Sequence, residues 1–584
     1  MRVNSIDVLK AFAIIAVVLY HLGYIPYGYL GVDLFLVISG FFTTKSLLHR
    51  NLTAWGGYFE FEISRVARLL PPLLIACAVC LAVGYNIMID ATLESLSQSV
   101  IATCFMGNNI VELIATGDYW AITKSYSPLM HTWYVGIVMQ FYLLYPLLFY
   151  IAKFDKYNPQ RTLAFLITVF GVISLLLYVG ETDNDRRFYL LHTRFYEFAV
   201  GGLVALLYKK SEKKNNGNVF AFACYALLLC ILFLNFDFLL ANVKLLAVIA
   251  ISAVLLCSHE KFENRITGNI VLAKIGAASY SIFIWHQIVL AFYRCIFGYK
   301  ISIMALLLLM FITGVLSWLS YQMIEKKTSV ALKTPKGRYR YCFAYGTFFV
   351  ILTVATFGLY MNAGVVRDIP ELEVYKSSPE RGKWPKYNNR IFSDDKPFTT
   401  EKQHWLVVGN SYGRDFANII YESEVADQIE VSYAYKSDYL EVEDRFKDAD
   451  IIFIASKGID EKLIHQIEII ALANGHTLKD VVVVGEKYFG ETMSQVYSRR
   501  YCDDYFDTEL HIPEELIQKN SSLEGTYKER FLNLLSFSSK DGIVCRVFTD
   551  DHKFMSCDCT HLTQAGAKFF ADLIDWNNYL KIKK

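Results

Sequence analysis

The stretch IDVLKAFAIIAVVLYHL, from Ile6 to Leu22, is apolar over a length that suits a membrane-spanning helix, yet it contains Lys10 and His21. An α-helix advances about 100° and 1.5 Å per residue, so residues eleven positions apart share nearly the same face, about 16 Å apart along the axis. Ionisable groups at membrane depth usually face a bundle interior or a water-filled cavity. The stretch therefore predicts a polar pathway, although a lysine at the cytoplasmic edge and a histidine at the outer interface is the alternative.

The composition of the chain indicates an integral membrane protein that carries a soluble part. Of the 584 residues, 54% are hydrophobic and only 19% are charged, and the mean hydropathy is +0.31. A formal net charge of +1 gives no electrostatic reason to expect nucleic-acid binding. A cleaved signal peptide is the alternative for the N-terminus, but no small-residue cleavage site follows the apolar run.

Eleven apolar stretches of about membrane length predict the spans. They are residues 6–22, 30–48, 69–88, 129–152, 161–180, 193–208, 219–236, 240–257, 270–295, 301–324 and 342–361. Lysine and arginine concentrate in alternate loops, which places the N-terminus in the cytoplasm and the polar region beyond Gly364 outside it. The partly apolar stretch 89–128 is long enough for a re-entrant segment, and a further full span there would invert everything downstream.

Two pairs of charged residues have helical spacing. Arg65 and Arg68 lie three residues apart at the cytoplasmic end of the third predicted span, so they are neighbours on one helix face. Paired guanidinium groups suit phosphate or pyrophosphate, whereas ordinary positive-inside flanking charge is the alternative. Arg194 and Glu197 have the same spacing and predict an ion pair within the bundle.

Further polar residues lie in or beside the predicted spans. They are His131, Gln140, His286, Gln287 and Glu325. A tryptophan or tyrosine beside a histidine at a span end is also typical of the aromatic belt of a membrane protein. The number of such residues favours a functional pathway over isolated structural roles.

An ordered set of motifs over about the first 330 residues resembles the bacterial acyltransferase-3 family of membrane O-acyltransferases. The motifs are IDVLKAFAIIAVVLYH, GYLGVDLFLVISGFF, RVARLLPP, HTWYVGIVMQFYLLYP, TRFYEFAVGG, SYSIFIWH and MIEK. The family's first helix carries a basic residue, ten intervening residues and a histidine, which Lys10 and His21 match. Its R-x-x-R motif, here Arg65 and Arg68, is linked with the acyl-coenzyme A donor, and its glutamate maps to Glu325.

The resemblance implies an acyl-coenzyme A donor, with acetyl-coenzyme A expected. Coenzyme A is highly charged and cannot cross lipid, whereas an acetyl group is small and neutral, so a polar conduit needs to move only the acyl group. We expect Lys10 and the two arginines to hold the donor on the cytoplasmic side. We expect His21 to act as general base on an acceptor hydroxyl or as a transient acyl carrier. Two positions depart from the family pattern: Lys327 replaces a proline, and Val138 replaces a glutamate.

The C-terminal part alternates strand-like and helix-like segments, which predicts a three-layer α/β domain with a parallel sheet. HWLVVGNSYGRDFANII, from His404 to Ile420, predicts a strand, a Gly-x-Ser turn and a helix, with Ser411 at the carboxyl edge of the sheet. Asp558 and His561 have D-x-x-H spacing, so the acid can orient a ring that deprotonates the serine. Further strands are predicted in IEVSYAY, ADIIFIAS and VVVVGEKYFG, and helices near 459–474, 526–537 and 563–575.

This half resembles the SGNH hydrolase family, with Ser411 in the serine block and the D-x-x-H pair in the last block. Asn410 stands where that family usually has aspartate. Gly458 is the best candidate for the glycine of an oxyanion hole, and backbone amides near Ser411 are alternative donors. No asparagine occurs in a convincing block.

Four of the twelve cysteines, Cys502, Cys545, Cys557 and Cys559, lie in the C-terminal part. Outside the cytoplasm they permit disulfides with three possible connectivities. A bridge between Cys557 and Cys559 would brace the loop around Asp558. No Cys/His spacing supports a zinc site, and we expect no metal.

The predicted fold is a polytopic α-helical membrane bundle of about ten spans plus one linking span, followed by an α/β three-layer SGNH-like domain. The boundaries are 1–330 for the acyltransferase-3-like bundle, 331–364 for a cytoplasmic loop and the linking helix, 365–400 for a linker, and 401–584 for the SGNH-like domain. We expect a multi-pass protein of the bacterial inner (cytoplasmic) membrane, with the C-terminal domain periplasmic or otherwise extracytoplasmic.

The expected activity is O-acyl transfer from cytoplasmic acyl-coenzyme A to hydroxyls of a cell-surface glycan. The acceptor would be a surface polysaccharide or lipid-linked glycan such as O-antigen, exopolysaccharide or peptidoglycan, and the bilayer would be a further partner. The first alternative is an exported glycan esterase. The second is an acyl or glycan transporter, or a scaffold, in which no covalent acyl-enzyme forms.

Overall fold

A computed structural model describes residues 4–50, 55–116, 122–207, 217–234, 240–257, 269–377, 383–435, 442–459 and 461–580. The chain divides into two compact units. The first comprises Met1–Asn86 and Ser95–Tyr360, and the second comprises Ile87–Glu94 and Met361–Lys584. Two of the predicted cytoplasmic loops, at 208–216 and 258–265, lie outside the described residues.

The first unit is built from helices, most of which are apolar. They are α1 (Asn4–His21), α2 (Gly31–Leu48), α3 (Trp55–Ile87), α4 (Asp90–Cys104), α5 (Asn108–Thr116), α6 (Trp133–Ala152), α7 (Pro159–Gly180), α8 (Asn184–Tyr189), α9 (Leu191–Leu207), α10 (Gly217–Phe233), α11 (Ala241–Cys257), α12 (Ile270–Ala277), α13 (Ser279–Phe297), α14 (Ile303–Ser320), α15 (Lys326–Ala331) and α16 (Pro335–Met361). The first turn of α4 belongs to the second unit.

Eight helical segments of the described chain are long and apolar enough to cross a membrane. They are Gly28–Leu48, Gly56–Ile87, Met130–Ala152, Pro159–Gly180, Asn184–Leu207, Ser279–Phe297, Ile303–Ala331 and Lys336–Met361. The other three predicted spans coincide with α1 and with the shorter apolar helices Phe222–Phe233 and Ala241–Cys257. A multi-pass membrane bundle is therefore confirmed.

Helices α2 and α9 pack closely because each presents a glycine to the other. A Cβ atom on Gly40 would lie 2.1 Å from the carbonyl oxygen of Phe198, and one on Gly201 would lie 2.0 Å from that of Val37. Small residues at such a crossing let two backbones approach within a membrane. This contact places the polar side chains of α2 and α9 side by side.

The stretch 89–128, where the sequence permits a re-entrant segment, forms α4 and α5 and a short helical turn at Ile122–Tyr126. None of these is among the membrane-length helices of the described chain. Asn108 of α5 donates hydrogen bonds to the carbonyl oxygen of Leu129 (3.1 Å) and to Thr132 Oγ1 (2.9 Å). The buried Lys124 ammonium contacts the carboxylate of Glu112 within the stretch, whereas the hydrogen bonds of Asn108 join the stretch to the residues that precede α6.

The second unit alternates strands and helices along the chain. They are α17 (Lys383–Asn389), β1 (Gln403–Gly409), α18 (Ser411–Tyr421), β2 (Ile429–Tyr435), α19 (Glu443–Asp448), β3 (Ile451–Ala455), α20 (Glu461–Ala473), β4 (Val481–Val484), α21 (Met493–Tyr497), β5 (Glu509–His511), α22 (Glu514–Tyr527), β6 (Phe531–Leu532), α23 (Leu534–Ser538), β7 (Val544–Arg546) and α24 (Gln564–Leu573).

Five strands form a parallel sheet in the order β2-β1-β3-β4-β6, which confirms the predicted α/β region with a parallel sheet. Side chains of β1 alternate between two hydrophobic cores. Trp405 and Val407 pack in one core with Phe416 of α18, whereas Leu406 and Val408 pack in the other, which includes residues of α19 and α20. The sheet is thus covered on both faces, as parallel sheets usually are.

The helix predicted near 526–537 is wrong. Helix α22 ends at Tyr527, and Lys528 has a positive φ of 49°, which is incompatible with a continuing helix. The two-residue strand β6 and the short helix α23 follow it. The sequence also gave no indication of the antiparallel pair β5 and β7, whose strands have three residues each.

Candidate active sites

His21 is the last residue of α1, and helix α13 holds it at two points. Its Nδ1 atom lies 3.0 Å from the carbonyl oxygen of Val17 and 3.2 Å from Nε2 of His286. Arg294, also on α13, donates a hydrogen bond of 2.8 Å to the backbone carbonyl of His21. The ring and the backbone of His21 are therefore both positioned by residues more than 260 positions away along the chain.

His131 completes a group of three neighbouring histidines. Its ring centroid lies 5.5 Å from that of His286 and 5.0 Å from that of Phe283, and the residue is buried. Neither ring nitrogen of His131 makes a hydrogen bond of ordinary geometry to another described residue. The sequence marked His131 and His286 as polar residues at span ends, but the aromatic-belt interpretation gave no sign that they would approach His21.

The predicted donor-binding residues lie on two helices. Lys10 of α1 is 3.4 Å from Asp7 Oδ1, and its ammonium lies 4.8 Å from the centroid of the Phe42 ring. Arg65 of α3 stacks over Phe61, with 4.9 Å from its guanidinium carbon to the ring centroid. Arg68, one turn further along α3, is exposed.

Glu325 lies at the end of a π-helical turn, Tyr321–Glu325, between α14 and α15. Such turns are frequent at functional sites. The Ser281 hydroxyl of α13 donates a short hydrogen bond to Glu325 Oε1. Helix α13 thus contacts both Glu325 and His21, although through residues on different turns.

A buried charge cluster joins α2 to α9. Arg194 Nη1 lies 2.7 Å from Asp33 Oδ1 and 2.9 Å from Glu197 Oε1, and all three side chains are almost fully buried. The predicted Arg194–Glu197 pair is confirmed. Asp33 was missed because it lies 161 positions away from Arg194.

Val138, where the family pattern has a glutamate, is buried in the aromatic core around α6. Gln140, two residues later, donates a hydrogen bond of 3.0 Å to Asn109 Oδ1. The polar contact of this helix with α5 therefore comes from Gln140.

In the second unit, Ser411 is the first residue of α18, directly after β1. The side chain of Asn410 caps this helix by accepting a hydrogen bond of 3.0 Å from the amide of Tyr412. The same side-chain oxygen accepts one of 3.0 Å from the amide of Lys457, in the loop after β3. Asn410 therefore fixes the turn that presents Ser411 at the carboxyl edge of the sheet.

Asp558 and His561 form the contact that their spacing predicts. His561 Nδ1 lies 2.6 Å from Asp558 Oδ2, and Asp558 Oδ1 accepts hydrogen bonds from the amides of His561 (2.7 Å) and Thr560 (2.9 Å). Burial opposes ionisation of Asp558, but the hydrogen bonds and charge of His561 outweigh it and hold the pKa of the carboxyl below its usual range. The carboxylate thus orients the ring through Nδ1 and leaves Nε2 as its basic nitrogen.

His561 Nε2 is buried and makes no hydrogen bond within the described part of the chain, so the bond from Ser411 Oγ is not formed. Helices α18 and α24 pack in one core, and Asp415 of α18 accepts a weak hydrogen bond of 3.4 Å from the amide of Leu562. The helix that begins at Ser411 and the loop that carries His561 are therefore neighbours. Hydrogen bonds between catalytic groups are often loose without substrate.

Asp415 also forms a buried ion pair that no sequence motif indicated. Its Oδ2 atom lies 2.7 Å from Lys487 Nζ, and both side chains are 1% exposed. The ammonium lies 3.5 Å from the centroid of the Tyr412 ring. Burial raises the pKa of Asp415 and lowers that of Lys487, and their mutual attraction offsets only part of each shift.

Gly458, the residue predicted to supply an oxyanion donor, is engaged elsewhere. Its amide donates a hydrogen bond of 3.2 Å to Glu486 Oε1, which also lies 2.8 Å from Lys519 Nζ. In this geometry its N–H is directed at a carboxylate. Backbone amides near Ser411 are therefore the better candidates for oxyanion stabilisation.

The four cysteines of the C-terminal part are present as thiols. Cys545, Cys557 and Cys559 are buried in one core, and burial raises the pKa of each thiol. The predicted Cys557–Cys559 bridge is therefore not formed in this structure. Among the described residues, no group of three or more histidine, cysteine or acidic side chains is arranged to hold a metal ion.

A profile of the family described as "Acyltransferase domain" matches residues 3–322, which contain His21, the histidine group, the paired arginines and the buried cluster at Arg194. The chain belongs to this acyltransferase family. The match covers more than half of the sequence and includes α1 to α14.

Three curated relatives show the same extent of similarity. The O-acetyltransferase OatA of Staphylococcus aureus (strain NCTC 8325 / PS 47) is 26% identical over 346 residues, which are 55% of this chain and 56% of the relative. The putative peptidoglycan O-acetyltransferase YrhL of Bacillus subtilis (strain 168) is 26% identical over 351 residues, 56% and 54% of the two chains. The peptidoglycan O-acetyltransferase OatA of Listeria monocytogenes serovar 1/2a is 30% identical over 313 residues, 49% of each. The chain thus matches these relatives over about half of their length.

Proposed function

We propose that this chain is a membrane O-acetyltransferase that moves an acetyl group from cytoplasmic acetyl-coenzyme A to hydroxyl groups of a cell-wall glycan. The observation that carries the proposal is the presence of two histidine sites in one chain. One is His21 with its partners in the family-matched bundle, and the other is the Asp558–His561 pair beside the helix that begins at Ser411. Each site has groups suited to one acyl-transfer step.

In the first acyl-transfer step, the negatively charged acetyl-coenzyme A is bound at the cytoplasmic side by Lys10, Arg65 and Arg68. A lysine is a point charge suited to phosphate, and guanidinium groups add planar hydrogen-bond donors. His21 removes a proton from an acceptor hydroxyl or carries the acyl group itself, and Glu325 is a second acid–base group on the same bundle. The resemblance of the motifs supports these roles, and the family match covers Lys10, His21 and the two arginines.

In the second acyl-transfer step, Ser411 accepts the acyl group and transfers it to the glycan. His561 takes the proton of the serine, and Asp558 stabilises the imidazolium that forms. The serine oxygen then bonds to the acyl carbon, the bond between that carbon and the group that delivered the acyl breaks, and the same ring gives its proton to this departing group. A sugar hydroxyl resolves the acyl-serine by the reverse sequence of proton transfers.

We propose eleven spans, with the N-terminus in the cytoplasm and the second unit outside it. Helices α3 and α16 both lead into this unit, since it comprises Ile87–Glu94 as well as the chain from Met361. In this order α3 is the third span and α16 is the eleventh. Both odd-numbered spans cross from the cytoplasmic side to the outside, as α1 does. The distribution of lysine and arginine supports the same orientation.

Among the acceptors considered from the sequence, peptidoglycan is favoured because two of the relatives are named as peptidoglycan O-acetyltransferases, one of them putatively. The acceptor would then be a sugar hydroxyl of the cell-wall glycan. The donor is proposed as acetyl-coenzyme A because all three relatives are named as O-acetyltransferases.

The test uses the purified full-length chain in lipid with [¹⁴C]acetyl-coenzyme A and glycan fragments released from peptidoglycan. We expect label on the glycan with the wild type and no label with Ser411→Ala or His21→Gln. His404→Gln is the matched control, because His404 is at the opposite end of β1 and its ring nitrogens lie 2.9 Å and 2.8 Å from the backbone carbonyl oxygens of Asp448 and Thr400. Full transfer by Ser411→Ala would refute the two-step scheme.

The same variant separates the rival functions. If the second unit is an exported esterase, Ser411→Ala should raise glycan acetylation in cells, because acetyl groups are no longer removed. A transporter or scaffold would give no covalently labelled protein under any condition. Ester hydrolysis would use the same serine and histidine, so this comparison in cells is needed to distinguish the two enzymes.

A further inference from the structure

The hydrogen bonds around His21 determine which of its nitrogens carries the proton. A backbone carbonyl can only accept a hydrogen bond, so His21 Nδ1, which lies 3.0 Å from the carbonyl oxygen of Val17, must be the protonated nitrogen of the neutral ring. The basic lone pair of His21 is then on Nε2. A histidine tautomer is set in this way by the partner of the other nitrogen.

The same reasoning assigns the tautomer of His286. Its Nδ1 atom lies 2.7 Å from the carbonyl oxygen of Phe283 and 3.1 Å from that of Ile282, so this nitrogen also carries a proton. Its Nε2 atom is therefore an acceptor, and it lies 3.2 Å from His21 Nδ1, whose single proton is shared between this nitrogen and the carbonyl oxygen of Val17. The two assignments are independent and agree, since one ring donates where the other accepts.

We propose that His286 is a positioning residue for the acyl transfer at His21, acting as a neutral hydrogen-bond acceptor that holds Nε2 of His21 toward the reacting groups. This inference rests on the proposed function. When Nε2 takes the proton of an acceptor hydroxyl, His21 becomes an imidazolium, and its Nδ1–H bond to His286 becomes charge-assisted and stronger. The neighbouring ring therefore favours the charged intermediate.

The step balances without any further reactant. The hydroxyl oxygen bonds to the carbonyl carbon of the thioester while its proton moves to His21 Nε2, and the carbon–sulfur bond then breaks. The thiolate of coenzyme A takes the proton from Nε2, which leaves an ester and a free thiol. In the acyl-carrier alternative, Nε2 itself bonds to the acyl carbon, the carbon–sulfur bond breaks, coenzyme A leaves as its thiolate, and the N-acylimidazolium keeps the Nδ1 proton. Both mechanisms therefore need the same tautomer.

Helix α13 is well placed for this role because Arg294 binds the backbone carbonyl of His21 from the same helix. His286 lies within hydrogen-bond distance of the His21 ring, whereas His131, on the other side of His286, makes no hydrogen bond to His21. His131 is therefore a matched control: a buried histidine of the same group that lacks the proposed contact.

The experiment compares His286→Phe, His286→Gln and His131→Phe in the full-length chain. We expect His286→Phe to lower kcat by about 10- to 150-fold, the range for losing a hydrogen bond to a charged group, with little change in KM for acetyl-coenzyme A. His286→Gln should restore most of kcat, because the amide oxygen can accept the same hydrogen bond. His131→Phe should leave KM and kcat within about threefold of the wild type.

A second measurement reports the contact itself. In chain labelled with ¹⁵N-histidine, a scalar coupling across the hydrogen bond should join His21 Nδ1 to His286 Nε2, vanish in both His286 variants and persist in His131→Phe. Absence of the coupling in the wild type overturns the proposal, as does a kcat for His286→Phe within twofold of the wild type. A wild-type chain that shows the coupling but transfers no acetyl instead overturns the proposed function, and with it the catalytic role of the contact.

Discussion

Replacing Lys487 by methionine removes one partner of the buried pair with Asp415, which lies one helical turn after Ser411 on α18, and leaves the buried carboxylate without its ammonium partner. The two charged atoms lie 2.7 Å apart, and each side chain is 1% exposed, so water cannot replace the lost ammonium. Asp415 must then remain as a buried carboxylate or take up a proton. Breaking such a pair typically costs about 3–5 kcal/mol.

Protonation sets a ceiling on this cost. A carboxyl with an ordinary pKa of about 3.9 is protonated at pH 7 at a cost of about 4.2 kcal/mol, and at pH 5 at about 1.5 kcal/mol, since each pH unit is worth 1.36 kcal/mol. The folded variant therefore binds a proton that the unfolded chain has released. Its stability should fall as the pH rises from 5 to 7.

The complementary variant, Asp415→Asn, should show the opposite slope. Lys487 must then lose its proton, which costs about 4.6 kcal/mol at pH 7 and about 1.9 kcal/mol at pH 9 for an ordinary pKa of about 10.4. The unfolded chain holds the proton that the folded chain has lost, so stability should rise with pH. The double variant should cost less than the sum of the two single changes, because no charge remains buried.

The assay is hydrogen exchange of the full-length chain, read by mass spectrometry on peptides of β1, β3 and β4. These strands form the centre of the parallel sheet, so their slowest amides report global unfolding of this unit alone. Exchange is corrected at each pH for the intrinsic rate. A penalty for Lys487→Met that is the same at pH 5 and pH 7, or additive costs in the double variant, would refute the reasoning.

Two further changes test the Asp558–His561 pair and the packing of α1 against α12. Asp558→Asn replaces the acceptor that orients His561. We expect kcat for p-nitrophenyl acetate to fall by about 100- to 10,000-fold with little change in KM. A loss of kcat below fivefold would argue against a catalytic role for the pair. Gly276→Ala places a methyl group 1.6 Å from the carbonyl oxygen of Asp7, so α1 and α12 must separate, and we expect thermal unfolding to show a loss of about 1–3 kcal/mol. Gly314→Ala, with no atom within 4 Å, is its control and should be neutral.

Features set by local spacing could be predicted from the sequence. The contact of His561 with Asp558 needs only three residues of chain and a turn, and the Arg194–Glu197 pair needs one helical turn. The strand before Ser411 is recognisable because residues 405–409 form a continuous apolar run, as expected for a strand inside a parallel sheet that is covered on both faces. In each case the interacting groups and the pattern lie in the same segment.

Features that depend on packing between distant segments could not be predicted. His286 lies 265 residues from His21, and Asp33 lies 161 residues from Arg194. A single histidine or aspartate in an apolar helix has no periodicity that identifies its partner. Lys487 follows a strand without any motif, so its pairing with Asp415 became visible only once α18 and β4 were placed in one fold.

The two histidine sites orient the same nitrogen with different partners, and the difference follows from their surroundings. His561 is held through Nδ1 by a carboxylate, whereas His21 is held through Nδ1 by the neutral ring of His286. An ionised carboxylate in an apolar bundle carries a large desolvation cost, which a neutral acceptor avoids. We therefore expect His286→Asp to reduce the thermal stability of the purified chain more than His286→Gln, measured by unfolding in detergent. Equal stability of the two variants would mean that water already reaches this site, and the choice of a histidine partner would need another cause.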